Sequence, residues 1–320
     1  MSQLNNWIVI VLLFITGFGS NTCQNTEKDK KVIEAGKKMQ DFVIAISEYS
    51  RKQNPNFIII PQNGAELTFI DCNPSNELHQ AYMNAIDGIG IEELFYNEVF
   101  KPDIYRLEML RKIADTKKVM VSEFIHHDDD IEDAMEKNLS EGFVSFIRTK
   151  ENYHYKSVPE TVQNENDKDI SKLADIENYL YLINNSEYNT KEEFIKSIEN
   201  NNSDLIIMDL YYLSFPFNKE DIQRLKIKKN GGKRLVISYI NVGAAENWRT
   251  YWQPEWKKGN PKWLKKNYKG YDNEIIVEFW HTAWQKIIFG NKDSYLQNII
   301  NVEFDGVYLD NVEAYYTLYN

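Results

Sequence analysis

The feature that most constrains this chain is a recurrence: short runs, most of them continuously apolar, alternate with stretches whose apolar residues have helical spacing. The runs are FIII (57–60), AIDGIGI (85–91), KVMVS (118–122), FVSFI (143–147), YLYLI (179–183), LIIM (205–208), RLVISYI (234–240), EIIVEFW (274–280) and GVYL (306–309). A run that is apolar at every position predicts a strand covered on both faces, as in a parallel sheet wrapped by helices. Between them lie helical patterns such as EDAMEKNL, KEEFIKSI and SYLQNIINV, and ahead of the first lies KKMQDFVIAISEYSRKQ. In that leading segment Met39, Phe42, Val43, Ile46 and Tyr49 recur at helical spacing until Asn54 and Pro55 stop the pattern. The repeating unit is therefore strand then helix, and about eight such units fit a single (β/α)8 TIM barrel over residues 36–320. An open doubly wound sheet is disfavoured, because no GxGxxG or GxxxxGK loop follows any run. One run is surplus to eight. FVSFI is read either as a stave or as an extra edge segment, and the polar residues 150–176 as a surface connection.

Residues Trp7 to Phe18 form an apolar core too short to span a membrane but suited to a signal peptide over 1–22. Cys23 then opens a hydrophilic tether, 23–35. Two processed forms follow: a lipoprotein of the bacterial cell envelope anchored through Cys23, or a secreted protein after ordinary cleavage. Membrane contact is expected only through that signal or lipid. The 48 acidic against 37 basic side chains, a net charge of -11, work against a nucleic-acid partner. Cys23 and Cys72 could form one bridge at most, so no disulfide framework is expected.

In a barrel of this kind chemistry sits at the carboxyl ends of the strands. There the sequence places Asn63, Glu92, Glu123, Asp209, Glu246 and Asp310. Each is explicable singly as a helix cap or turn residue; together they predict several carboxylates around one cavity. Glycoside hydrolysis is the reaction class that uses a carboxylate pair and no cofactor, one group protonating the leaving oxygen and the other attacking the sugar or activating water. Six of the seven tryptophans, Trp248, Trp252, Trp256, Trp263, Trp280 and Trp284, fall between residues 248 and 284. Their indoles either stack on sugar rings or pack beneath the loop that carries them. The cluster His126, His127, Asp128, Asp129 and Asp130 reads as a solvated loop and helix cap, so no metal is expected.

The runs NPNFIIIPQNGAEL, DGIGIEELFY, VMVSEF, VISYINVGAAENWRTYW, FWHTAWQKII and FDGVYLDNVEAYY resemble those of glycoside hydrolase family 114, the endo-α-1,4-polygalactosaminidase-like barrels. The resemblance implies endo-acting cleavage of α-1,4-linked galactosamine or N-acetylgalactosamine polysaccharide; the expected course is retaining, which requires the two carboxyl groups about 5–5.5 Å apart, whereas about 6.5–9.5 Å would indicate inversion. It carries the catalytic pair onto Asp310 in GVYLDN and Glu92 in GIEELFY, and further cleft positions onto Asp209, Glu246, Arg249 and Asn63. Glu123, Trp248, Trp280 and Tyr239 complete the expected substrate contacts. Relative to the family the segments are permuted, since the one resembling FDGVYLDNVEAYY runs on there into the one resembling NPNFIIIPQNG. The expectation is a circularly permuted barrel; a piece of a tandem array or a rearranged chain is the other way to obtain that order. The rival function is a carbohydrate-binding barrel of the envelope that has lost catalysis.

Overall fold

A computed structural model describes residues 27–150 and 155–320. The readings placed on residues 1–22 and on Cys23 lie outside the described residues. Residues 27–35, expected to belong to a tether, are instead helical: α1 spans Glu27–Arg51, and Ala35 is already buried. Met39, Phe42, Val43 and Ile46 form its buried stripe. Among them the side chain of Gln40 donates to the carbonyls of Leu67 and Phe69 at 2.8 and 2.9 Å, pinning the helix to the loop after the first strand.

Eight parallel strands follow in chain order: β1 Ile58–Pro61, β2 Gly88–Phe100, β3 Lys118–Ile125, β4 Val144–Arg148, β5 Leu180–Leu182, β6 Leu205–Asp209, β7 Leu235–Asn241 and β8 Gly306–Asp310. Ladders join β2 to β3 and β3 to β4, and likewise β5 to β6, β6 to β7 and β7 to β8. The last strand pairs in parallel with the first, Ile58 opposite Gly306 and Pro61 opposite Leu309. Between β1 and β2 the Asp87 amide donates to Ile59 at 2.9 Å and the Asn63 amide to Gly90 at 2.7 Å. Between β4 and β5 the described residues show a ring contact, Phe146 to Tyr179 at 5.7 Å between centroids, and no ladder.

The run outside the eight parallel strands is EIIVEFW, and FVSFI forms one of the eight, β4. Glu274–Val277 forms the middle of a small antiparallel sheet with Ala244–Glu246 and Leu264–Asn267, inserted after β7. Apolar content alone does not separate the two runs, because both bury their side chains; only the pairing partner does. The strand-then-helix unit is met by α2 (Gln80–Ala85), α3 (Ile104–Ala114), α4 (Ile131–Ser140), α5 (Lys191–Glu199) and α6 (Lys219–Leu225). In the insertion after β7, α7 (Thr282–Ile288) and α8 (Tyr295–Asn301) take that place, whereas residues 155–179 between β4 and β5 contain no α-helix. That connection is also less superficial than its polarity suggests: Tyr155, Ile170, Leu173 and Ile176 are buried.

Alternation along the strands sets which side chains share a face. Gly90 and Glu92 share one face of β2, and Tyr308 and Asp310 share one face of β8. A Cβ built on Gly90 would lie 1.9 Å from the Tyr308 hydroxyl, and Tyr308 is itself buried. Gly90→Ala is therefore expected to push Tyr308 out of place and cost about 1–3 kcal/mol by overpacking, measured as a lowered urea midpoint with an unchanged slope.

Candidate active site

A cavity of about 650 Å³ opens at the carboxyl ends of the strands. Asp310, Glu92, Asp209, Glu246, Arg249, Asn63, Tyr239 and Trp248 all line it. Two expected contacts do not. Glu123 is fully buried on the opposite face of β3, where its carboxylate accepts from the amides of Phe95 and Tyr96 and from the Asn138 side chain on α4. Strand alternation is the reason: Ser122, one residue earlier, pairs with Glu92 and faces inward, so its neighbour must face out. Trp280 packs on Phe279 with the Lys38 ammonium 4.4 Å from its ring centroid, away from the cavity. The remaining indoles chiefly pack on one another, Trp252 on Trp256, Trp256 on Trp263 and Trp263 on Trp284, at 5.0–5.5 Å between centroids. Trp284 also donates to the Val242 carbonyl at 2.9 Å. Exposed Trp248 alone of the six tryptophans reaches the cavity, and the flat surfaces there are mainly tyrosines: Tyr155, Tyr181, Tyr211, Tyr239, Tyr268 and Tyr271.

Glu92 sits where β2 leaves regular pairing. The β2–β3 register shifts between Glu92 and Asn97, and Glu93 adopts φ +56°, a conformation that costs a side-chain-bearing residue energy unless its surroundings enforce it. They do so here. The Arg106 guanidinium donates to the carbonyls of Glu92 and Glu93 at 2.8 and 2.7 Å and is itself held by Asp103. Glu123 takes the freed amides of Phe95 and Tyr96, and the Asn63 side-chain oxygen accepts from the Glu92 amide at 3.3 Å. Glu123 thus belongs to the scaffold beneath Glu92 rather than to the cleft surface.

Asp310 ends β8. Its carboxylate accepts from the Tyr239 hydroxyl on β7 and from the Asn311 amide at 2.7 Å. Burial raises its pKa to about 7; the Tyr239 hydrogen bond opposes that rise, and the nearby charge of Glu92 adds to it. Glu274, a lining residue that strand-end reasoning misses because it begins a strand of the inserted sheet, is likewise pushed up to about 8 by burial and by Glu246 and Asp310. Its carboxylate accepts from Asn241 at 3.1 Å.

One wall is an ionic triad. Arg249 reaches Asp209 at 2.5 Å and Glu246 at 2.6 Å, and donates to the Tyr295 hydroxyl at 3.0 Å. All three charged side chains are nearly inaccessible to solvent. Burial alone would lower the guanidinium's pKa, but the two carboxylates more than offset it and raise it well above the usual value. Burial also raises Glu246, against the pull of Arg249. Among the described lining residues Glu92, Asp209, Glu246, Glu274, Asp310 and Glu313 are acidic and Arg249 is the one Arg or Lys, so acidic side chains outnumber basic ones in the cavity wall.

Residues 186–320 match the model of glycoside-hydrolase family GH114. That stretch carries Asp209, Tyr239, Glu246, Arg249, Glu274 and Asp310; Glu92 lies outside it. The chain is 36% identical to an uncharacterized protein of Methanocaldococcus jannaschii over 154 residues, 47% of this chain and 41% of that one. It is 31% identical to one of Thermotoga maritima over 93 residues, covering 29% and 27% of the two chains. A third similarity, 40% over 82 residues, is to an uncharacterized protein of Deinococcus radiodurans and covers 26% and 25%. The matches span less than half the length of these relatives. Among the described residues no group of three or more His, Cys, Asp or Glu is arranged to hold a metal ion. Nor is any described helix long and apolar enough to cross a membrane.

Proposed function

We propose that this chain is a glycoside hydrolase with Asp310 as nucleophile and Glu92 as general acid/base. The observation that carries the reading is that these two carboxylates, brought by β8 and β2, line one cavity, and that each is held by a tyrosine hydroxyl, Tyr239 on Asp310 and Tyr155 on Glu92. In the first step Asp310 attacks the anomeric carbon while Glu92 protonates the departing glycosidic oxygen. In the second, water attacks the glycosyl–Asp310 ester, Glu92 removes its proton, and the sugar leaves with its configuration retained. The GH114 match supports the reaction class.

The substrate we propose is α-1,4-linked galactosamine or N-acetylgalactosamine polysaccharide, cut internally. An excess of carboxylates in the cavity favours an amine-bearing sugar, and its tyrosine faces offer stacking surfaces. Incubation with a panel of amino-sugar polymers, with products read by mass spectrometry and the first-formed anomer by proton NMR, tests all of this. Internal cleavage with retention supports it. Binding without product would instead indicate a carbohydrate-binding barrel that has lost catalysis. Export by a signal over 1–22, with or without lipid on Cys23, is proposed alongside, and the mass of the mature N-terminus tests it.

Circular permutation is part of the same proposal. Support comes from the parallel pairing of β1 with β8, which makes the first and last strands neighbours. A chain rejoined from Asn320 to α1 and opened within residues 155–176 is expected to fold with the same melting profile and activity.

The nucleophile must be ionised, and Asp310 ionises near pH 7. The rate under kcat/KM conditions is accordingly expected to fall about tenfold per unit as pH drops below that value. Tyr239→Phe removes a donor that favours the ionised form, so it should move this acid limb to higher pH. A pH–rate profile of parent and variant checks both.

A further inference from the structure

We propose that Tyr155, supplied by the connection between β4 and β5, is a positioning residue that fixes one carboxylate oxygen of Glu92. This rests on the glycosidase reading and adds a residue to it. The phenol hydroxyl donates to Glu92 Oε1, and the Ser122 Oγ lies 3.3 Å from the same hydroxyl. The ring is buried, with its centroid 3.9 Å from that of Tyr181 on one side and the Arg148 guanidinium 4.8 Å from it on another. A tyrosine so enclosed has little rotational freedom, so the direction of its O–H is set by Glu92 and Ser122. Burial, reinforced by the charge of Glu92, keeps the phenol protonated and hence a donor.

The consequence for Glu92 is geometric and electrostatic. With Oε1 held by Tyr155, Oε2 is the oxygen offered to the cavity, and it is the one that gives up and later takes the proton. The same hydroxyl remains a hydrogen-bond partner for the ionised carboxylate that the second step requires. No proton passes to Tyr155 in either step. The other groups whose charge bears on Glu92 are Arg148, Tyr179, Tyr181, Tyr308, Asp310 and Glu313.

Tyr155→Phe deletes only the hydroxyl and leaves the ring stack. It is expected to lower kcat about 10- to 100-fold with KM within about twofold, and to move the basic limb of the kcat/KM profile about half a unit or more to higher pH. Replacing Tyr155 by 3-fluorotyrosine, a near-isosteric and stronger donor, should move that limb the other way. The 13C signal of the Glu92 side-chain carboxyl, assigned with Glu92→Gln, should titrate at higher pH in Tyr155→Phe than in the parent. This last readout needs no turnover: if the parent cleaves no polymer the glycosidase reading fails, while the NMR comparison still decides the role of Tyr155. An unshifted Glu92 titration, or a rate loss that merely tracks a loss of folded protein with the pH profile unchanged in shape, would overturn the proposal.

Discussion

Asn in place of Asp310 is expected to reduce polymer cleavage by at least about 10³-fold, and Gln in place of Glu92 by a comparable factor, with both variants folded. An amide can neither attack the anomeric carbon as a carboxylate does nor exchange a proton with the glycosidic oxygen. The Asp310 variant carries a second signature. Its folded pKa of about 7 exceeds the ordinary value of 3.8, so the folded state resists ionisation. Stability contributed by the protonated group is full below about pH 4 and is lost as pH rises toward 7. Asn does not titrate. Asp310→Asn should therefore match the parent at pH 4 and exceed it at pH 8, by up to about 4 kcal/mol. Denaturant titrations at the two pH values, run beside the activity assay, test this. Unimpaired turnover in either variant refutes the catalytic assignment, and lost activity with lost stability at pH 8 would mark Asp310 as structural.

Met in place of Arg249 is expected to be the most destabilising change in the cavity wall. It leaves Asp209 and Glu246 buried without the cation that neutralises both, an uncompensated burial that typically costs about 3–5 kcal/mol. The deficit should shrink toward pH 5, because the stranded carboxylates then take up protons. It should shrink too when Asp209→Asn and Glu246→Gln are added, since the charges needing a partner are then gone. Melting temperatures of the single and triple variants at pH 5 and 8 measure both effects. A pH-independent loss would mean that Arg249 contributes by packing alone.

How far the sequence leads is clearest on β3. The alternation of runs and helical patterns gives eight staves and directs attention to their carboxyl ends, where Glu92, Asp209 and Asp310 are indeed gathered into one cavity. Naming the first acidic residue after a run, however, ignores which face that residue occupies. For KVMVS the rule selects Glu123, and strand alternation turns it outward to hold the backbone of β2. The tryptophan cluster fails for a related reason. Composition marks a region rich in flat, apolar side chains, but neighbouring indoles lower their free energy by packing on one another wherever the loop folds back on itself. Tyr155 and Glu274 illustrate the opposite error. One lies in a stretch whose overall polarity reads as surface and the other at the start of a strand, so neither carries a local mark of its place in the cavity.

By itself, then, the sequence determined the periodicities: which segments are mostly apolar, which are amphipathic at helical spacing, and hence the strand-then-helix repeat and the reaction class its acidic strand ends suggest. These are local properties, written into spacing and side-chain chemistry. The tertiary structure alone decided that β8 pairs with β1, that EIIVEFW joins the small antiparallel sheet while FVSFI joins the parallel strands, and that the Asp209–Arg249–Glu246 wall forms. It also decided that Asp310 is buried deeply enough to titrate near neutrality. Each of those outcomes depends on groups distant in the chain being desolvated together, and desolvation is a property of the folded environment that no run of neighbouring residues encodes.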